Sequence, residues 1–263
     1  MNDFYAMVTG ASEGLGKSLA IELASKRINL VIVALPQSGL SELACYLRKN
    51  FEVKVHSFET DLTIAESGLH LFNFLNKNKL RLHILVNNAG IGNWSWFEDK
   101  NNDFYKTQID LNITNTVLLT RLFLKHIDKK LPNYILNVGS LGGYFIVPKK
   151  QVYGATKSFI GYFTRCLRLE LSGTNVRVSL LSPGGINTKP ELLVMNNNLE
   201  GFAKATILEA DFVAKAAMDG MLKGKKEIIP GFANRLLMLL DKIIPSFFKE
   251  IIIRRKLSAI LKA

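Results

Sequence analysis

The chain has 263 residues, 48% of them hydrophobic, and a formal net charge of +12, enough to bury one large core and biased toward anionic partners such as a phosphate-bearing cofactor. Cys45 and Cys166 are too few for a disulfide framework, and His56, His70, His83 and His126 stand apart without metal-ligand spacing, so no metal site is expected. No apolar run reaches the roughly 18 residues of a membrane span and the first ten residues do not read as a secretion signal; a cytoplasmic protein is expected, with peripheral attachment to a membrane surface as the alternative.

Short apolar runs rich in β-branched residues alternate with longer stretches of helical period. This predicts repeated βα units around a parallel sheet covered on both faces, a doubly wound α/β fold. Strands are expected at 4–9, 29–34, 52–58, 82–87, 133–139, 175–182 and 226–229, and Leu15/Leu19/Leu23 and Phe159/Phe163/Leu167/Leu171 give the helices between them an apolar face. The first strand runs into Thr9-Gly10-Ala11-Ser12-Glu13-Gly14-Leu15-Gly16, which opens the first helix. Glycines there permit a tight turn and close approach of backbone to phosphate, while the helix N-terminus supplies unpaired N–H groups and a positive dipole end. Gly10, Ser12, Gly14, Leu15 and Gly16 therefore read as a pyrophosphate cradle; the plain alternative, a ligand-free glycine turn, fits the strand-to-helix setting less well.

After the second strand, Val33-Ala34-Leu35-Pro36 offers neither an acidic nor a basic side chain. The third leads to Thr60-Asp61-Leu62-Thr63, where Asp61 is at least a candidate cap for the next helix. The fourth ends at Asn87-Asn88-Ala89-Gly90, Ser140 follows the fifth, and Tyr153-Gly154-Ala155-Thr156-Lys157 opens the helix after it. Tyr153 and Lys157, four apart on a helix, share one face and can touch one ligand. Pro183-Gly184 and Thr188 follow the sixth strand.

The G-x-x-x-G-x-G spacing, the Asn-Asn-Ala-Gly run, Ser140 thirteen residues before Tyr153, the Tyr-x-x-x-Lys pair and the Pro-Gly turn followed by Thr188 stand in one order. Over residues 1 to about 230 the chain resembles the short-chain dehydrogenase/reductase family. The resemblance implies a single Rossmann-type domain that uses NAD(P)H to reduce a carbonyl or oxidise an alcohol, with Asn112, Ser140, Tyr153 and Lys157 as its catalytic residues. Hydride transfer to a carbonyl carbon builds negative charge on its oxygen, and an acid must complete the step. Tyrosine, with a free pKa of about 10, is brought toward neutrality by a nearby ammonium, the expected part of Lys157. Ser140 would donate a hydrogen bond to the same oxygen. The resemblance further implies that Lys157 bonds the nicotinamide ribose and that Asn112 supports a water relay from the lysine to solvent. It puts Asp61 on the adenine with Leu62 beside it, makes Asn88, Ala89 and Gly90 a wall along the adenosine, and sets Pro183, Gly184 and Thr188 around the nicotinamide. The choice between NADP and NAD stays open; the missing carboxylate after the second strand and the basic charge lean to NADP.

Residues 189–224 are the expected substrate lid, carrying Leu192, Leu193, Val194, Met195, Phe202 and Ile207, and Trp94, Trp96, Phe97 and Tyr144 are candidates to join that wall. An apolar pocket for a lipid-like, steroid-like or acyl carbonyl follows. After about residue 230 the rhythm changes, and 231–263 reads as an extension of two amphipathic helical pieces separated near Pro245. Leu236, Leu240, Ile243, Phe247 and Ile251 recur along it, and basic residues outnumber Asp241 and Glu250. Such a segment either folds back over the cleft or a partner subunit, in a homodimer or homotetramer, or rests on an anionic membrane surface. A catalytically silent NAD(P)-binding sensor or scaffold of the same fold is the competing function, and the complete Asn112, Ser140, Tyr153 and Lys157 set argues against it. No nucleic-acid motif accompanies the scattered lysines, so no nucleic-acid partner is expected.

Overall fold

In β1 (Phe4–Thr9) successive side chains enter different cores, Ala6 and Val8 on one face and Tyr5 and Met7 on the other, as the two-residue period of a strand requires. β2 (Asn29–Ala34) repeats the division, with Leu30, Ile32 and Ala34 opposed to Val31 and Val33. The computed structural model describes residues 4–188 and 204–245, with Phe247, Lys249, Glu250, Ile251 and Arg254. Further along come β3 (Val55–Glu59), β4 (Arg81–Asn87), β5 (Asn133–Val138), β6 (Val176–Leu181), β7 (Gly185–Asn187), β8 (Ile207–Glu209) and β9 (Glu227–Ile228). Seven of them form one parallel sheet in the order β3-β2-β1-β4-β5-β6-β9, while β7 and β8 pair in a small parallel sheet of their own. All seven expected strands are present; the largest shift is at β3, which begins at Val55 rather than residue 52, and β7 and β8 were not expected.

α1 (Gly14–Ser25) and α2 (Leu40–Phe51) lie on one face of the sheet, and α3 (Ser67–Lys77) on the other. α4 (Asn102–Ile109) leads through a π turn into α5 (Asn115–His126), and α6 (Gln151–Glu170) follows β5. α7 (Ala210–Leu222) joins the α1 side through Val213, Ala217 and Met218, and α5 and α6 join the α3 side through Leu119, Phe123 and Leu167. Two helical layers thus enclose a seven-stranded parallel sheet of Rossmann type, whose strand order reverses between β1 and β4. Ligands of such sheets bind above the carboxyl ends of the strands at that reversal.

Leu15, Leu19 and Leu23 are buried as their spacing predicts. Of the expected stripe on α6, Phe163, Leu167 and Leu171 pack on the core and Phe159 is exposed, while the helix also turns Thr156, Lys157, Ile160 and Thr164 inward. The reason is polar. Asn137 of β5 donates to the Thr164 hydroxyl at 2.9 Å and accepts from Asn87 at 2.8 Å, so buried amides rather than phenyl rings set which face of α6 meets the sheet.

α8 (Phe232–Ile243) begins the C-terminal extension. It buries Asn234 and Met238 and leaves Phe232, Leu239 and Ile243 exposed. The helix stops before Pro245, and the described residues beyond it are helical again, matching the two expected pieces. Among the described residues no helix is long and apolar enough to cross a membrane.

Candidate active site

The turn from β1 to α1 is tied to the end of β4. The Thr9 hydroxyl accepts from the backbone amides of Asn88 and Ala89, both at 3.0 Å, and the Asn88 side-chain amide donates to the carbonyls of Thr9 at 2.9 Å and Gly10 at 3.1 Å. Gly10 and Gly14 hold φ of +63° and +52°, a region that L side chains seldom enter. A Cβ on Gly16 would collide with the Gly10 carbonyl and come within 2.5 Å of the Asn88 amide nitrogen. The turn is therefore closed by backbone against backbone. α1 has no acidic side chain in its first turn, and Glu13 stands at its N-cap. Ser12 is half-buried on the turn, Leu15 packs into the core, and Thr188 covers the turn from the β6 side, its Cβ 3.0 Å from where a Gly14 Cβ would sit.

Asp61 follows β3, where its carboxylate accepts from the backbone amide and hydroxyl of Thr63, both at 2.8 Å, and Leu62 is buried in the core. The helix that follows starts only at Ser67, after Glu66. Asp61 thus organises its own turn instead of capping that helix.

Ser140, Tyr153, Lys157 and Asn112 come together above the ends of β4, β5 and β6. Ser140 stands two residues beyond β5 in extended backbone, where its hydroxyl accepts from Gly142 N at 3.0 Å, and a Cβ on Gly142 would lie 3.4 Å from that hydroxyl and 3.6 Å from the Tyr153 ring. Leu141 N donates to the Pro183 carbonyl at 2.9 Å and joins this segment to the loop after β6. Tyr153 and Lys157 lie one turn apart on α6. The Lys157 ammonium is buried, donates to the Val138 carbonyl at 2.8 Å and stands 5.8 Å from the centre of the Tyr153 ring. Burial lowers its pKa from 10.5 to about 8. The Tyr153 phenol is pushed up by burial, opposed by the Ser140 hydrogen bond. The expected downward pull by the lysine is thus not the dominant effect: desolvation acts on both groups, and the lysine is already bonded to a carbonyl.

Asn112 sits in the π turn Asp110–Thr114 between α4 and α5 and is buried. Its carbonyl accepts from Ile91 N at 2.9 Å, and its amide donates to Ile91 O and the Thr156 hydroxyl, both at 3.0 Å. A Cβ on Gly90 would fall 2.8 Å from the Asn112 carbonyl oxygen and 3.5 Å from the Lys157 ammonium, so the glycine keeps open a gap between them. Gly184 is crowded by the extension: a Cβ there would lie 2.5 Å from the Asn234 carbonyl oxygen and 2.6 Å from Thr206 O.

Of the residues expected to wall the substrate, Trp94 is 57% exposed, Trp96 is half-buried and Phe97 stacks on Tyr105 with ring centres 5.0 Å apart. Tyr144 departs from the apolar wall expected of it. Its hydroxyl donates to Glu227 of β9, which also accepts from Ser182 at 3.0 Å, and Arg165 donates to the Tyr144 oxygen at 3.3 Å. Leu192, Leu193, Val194, Met195 and Phe202 lie outside the described residues, and Ile207 opens β8. Sequence reading assigned no part to Thr9, Thr156, Gly92 or Lys150. Thr9 stands at the head of the glycine motif and Thr156 inside the Tyr-x-x-x-Lys pair, which were the available signals; for Gly92 and Lys150 only nearness to the motifs was.

An anionic group fits the glycine turn, because positive-φ glycines and the Gly16 approach leave backbone where side chains would intrude. An open parallel sheet with that turn at its reversal point, and a tyrosine, a lysine and a serine at the strand ends, defines a dinucleotide-dependent oxidoreductase. The chain belongs to the short-chain dehydrogenase/reductase family: the profile described as short chain dehydrogenase matches residues 5–197. It is an NAD(P)-dependent oxidoreductase of CH–OH and C=O groups. It is 32% identical over 193 residues to the very-long-chain 3-oxoacyl-CoA reductase-A of Danio rerio, covering 70% of this chain and 59% of that one. It is 33% identical over 185 residues to an NADP-dependent 3-hydroxy acid dehydrogenase of Schizosaccharomyces pombe, covering 70% and 71%. Among solved structures, a short-chain dehydrogenase from Sphingobium yanoikuyae in complex with NADPH superposes with a TM-score of 0.77 at 28% identity, over 89% of this chain and 91% of that one.

Proposed function

We propose that Tyr153 is the proton donor and acceptor, that Ser140 holds the substrate oxygen beside it, and that Lys157 fixes the nicotinamide ribose while its charge supports Tyr153. The observation that carries this reading is the meeting of Ser140 and Tyr153 at Gly142, where a Cβ would lie 3.4 Å from the Ser140 hydroxyl and 3.6 Å from the Tyr153 ring, on the helix that also bears the buried Lys157. When bound, NAD(P)H supplies the hydride. The Ser140 and Tyr153 hydroxyls donate to the substrate oxygen and stabilise the charge that develops there. Burial keeps the phenol protonated at neutral pH, the state that a donor needs, and the proton passes from its oxygen to the substrate. Asn112 acts as a positioning residue that fixes Ile91 and Thr156 around Lys157 and carries the water relay. Gly10, Ser12, Gly14, Leu15 and Gly16 cradle the pyrophosphate; Asp61, Leu62, Asn88, Ala89 and Gly90 follow the adenosine; Pro183, Gly184 and Thr188 border the nicotinamide.

The substrate we assign is a carbonyl on an apolar or acyl chain. The fish and yeast relatives act on 3-oxoacyl-CoA and 3-hydroxy acids by name, and Trp94, Trp96 and Phe97 supply apolar surface in the segment next to Lys149 and Lys150, which precede Tyr153. NADP is preferred: buried Ala34 and exposed Leu35 end β2 without a carboxylate to repel a 2′-phosphate. A panel of aliphatic, aromatic and acyl ketones with NADPH and NADH tests the reading. It should give fastest turnover with NADPH on apolar acyl ketones; a clear NADH preference, or no turnover of any ketone, contradicts it.

Residues 1–230 form the catalytic unit in this reading, and 231–263 an extension that closes it through Asn234. Leu118, Phe159, Tyr162 and Leu169 are exposed on α5 and α6 and suit a homodimer or homotetramer. The outer face of α8, with Phe232, Leu239 and Ile243 beside Arg235 and Lys242, suits either a second subunit or an anionic membrane surface. Sedimentation with anionic vesicles that is abolished in a Leu239→Lys, Ile243→Lys variant would select the membrane; an unchanged distribution would select the subunit. Cys45 and Cys166, exposed and unpaired, suit a reducing cytoplasm.

A further inference from the structure

Two lysines stand at the mouth of the site in a setting that lysines rarely occupy. Lys149 and Lys150 directly precede α6, and both are partly buried, although lysine is ordinarily among the most exposed residues. The Lys150 ammonium lies 5.3 Å from the centre of the Trp94 ring and 5.3 Å from that of Tyr153, and the Lys149 ammonium lies 4.4 Å over Trp96. Lys149 holds φ of +67°, a left-handed conformation uncommon for a side-chain-bearing residue, and its carbonyl accepts from Ser95 N at 3.1 Å. The corner before α6 and the 94–96 segment are thereby locked together around the two charges.

Neither ammonium makes an ion pair or a hydrogen bond with any described residue. Among the described residues near this corner, Asp99 accepts from Trp96 N at 2.8 Å, Asp110 pairs with Lys106, and Glu98 is exposed. Ring faces offset part of the cost of desolvating a cation and leave its other side to a ligand. Burial accordingly lowers the pKa of Lys150. A cation kept without a counter-ion among the described residues, next to the proposed proton donor, is arranged for an anion that arrives with the substrate.

We propose that Lys150, seconded by Lys149, binds a carboxylate carried by the substrate, so that the enzyme selects an oxo acid: a carbonyl compound with an apolar chain and a negative charge close to the reacting carbon. The proposal rests on the reading of Tyr153 as the proton donor, and its test is chosen to stand apart from that reading. Trp94 and Trp96 are the only two tryptophans of the chain, and both touch these lysines, so intrinsic fluorescence reports occupancy without any turnover.

The full chain, saturated with NADPH, is titrated with hexanoate and with hexanamide, its uncharged counterpart. Hexanoate should shift the tryptophan emission and bind about tenfold more tightly or better, a difference of about 1.4 kcal/mol. Lys150→Gln should abolish that advantage and Lys150→Arg retain most of it, both at the wild-type unfolding midpoint. Equal affinity for the two ligands, no binding of hexanoate, or an advantage that survives Lys150→Gln overturns the proposal. Kinetics separates the two claims: failure to reduce both 3-oxohexanoate and 2-hexanone defeats the assignment of Tyr153 and leaves the carboxylate result to be judged by fluorescence.

Discussion

On the cofactor side of the crevice, Thr9, Gly10, Gly16 and Asn88 are joined through backbone groups, and there is no space for a side chain where the turn meets α1. On the side proposed for the substrate, Trp94, Trp96 and Phe97 make ring contacts with Lys150, Lys149 and Tyr105, and two of the three are more than half exposed. The first region is fixed by what the main chain can do, the second by which side chains happen to line a loop. A scaffold of this kind can change what it reduces by exchanging residues at 94–97 and 144–150 without disturbing how it grips a dinucleotide. Tyr153 and Lys157 stand where the two regimes meet.

The largest effect should come where both sides are struck at once. Lys157→Ala is expected to lower turnover by about a hundredfold or more and to weaken cofactor binding as well, measured by initial rates and by NADPH fluorescence titration. Gly16→Ala should break the cofactor side alone: its methyl group meets backbone that cannot give way, so stability falls by about 1–3 kcal/mol and NADPH affinity falls with it. A variant with wild-type melting and affinity would show that the turn is less tightly determined than the contacts imply. Asn88→Ala removes two donors from that turn and should cost about 1–2 kcal/mol in denaturant unfolding.

The buried Lys157 makes a prediction about pH. Its folded pKa, about 8, lies below the ordinary 10.5, so between those values the unfolded chain binds a proton that the folded chain does not. Stability should then rise with pH across that window in the wild type relative to Lys157→Met, the contribution being smallest below about pH 8. Denaturation midpoints with parallel pH dependence for the two proteins would show that the ammonium is not desolvated. The smallest effect on the fold belongs to Trp94→Ala, exposed on the substrate side, which should change stability by no more than about 0.5 kcal/mol while altering KM.

The same contrast governs what could be read from sequence. β1 and β2 were legible because strands buried on both faces leave unbroken apolar runs, and the glycine turn because its residue types follow from its conformation. The π turn that carries Asn112 has no such signature, since one added residue in a helix changes the hydrogen-bond register but not the composition. On α6, Phe163, Leu167 and Leu171 were placed correctly and Phe159 was not, because Asn87, Asn137 and Thr164 bond across 77 residues of chain, an arrangement that no local period reports. Tyr144 looked like an apolar wall for the same reason: its partner, Glu227, comes from the last strand of the sheet. Asn234, buried against Gly184, lies in a helix whose hydrophobic pattern gave no hint that a polar residue would turn inward.

Binding and chemistry can be separated most directly at Tyr153. Its ring meets Lys150, Lys157, Gly92 and the Gly142 turn that carries Ser140, whereas the glycine turn is built without it. Single-turnover oxidation of NADPH by Tyr153→Phe, with the cofactor dissociation constant measured on the same protein, should give a rate lower by at least about a hundredfold at nearly unchanged affinity and melting temperature. A rate close to that of the wild type would contradict the assignment of the proton to Tyr153.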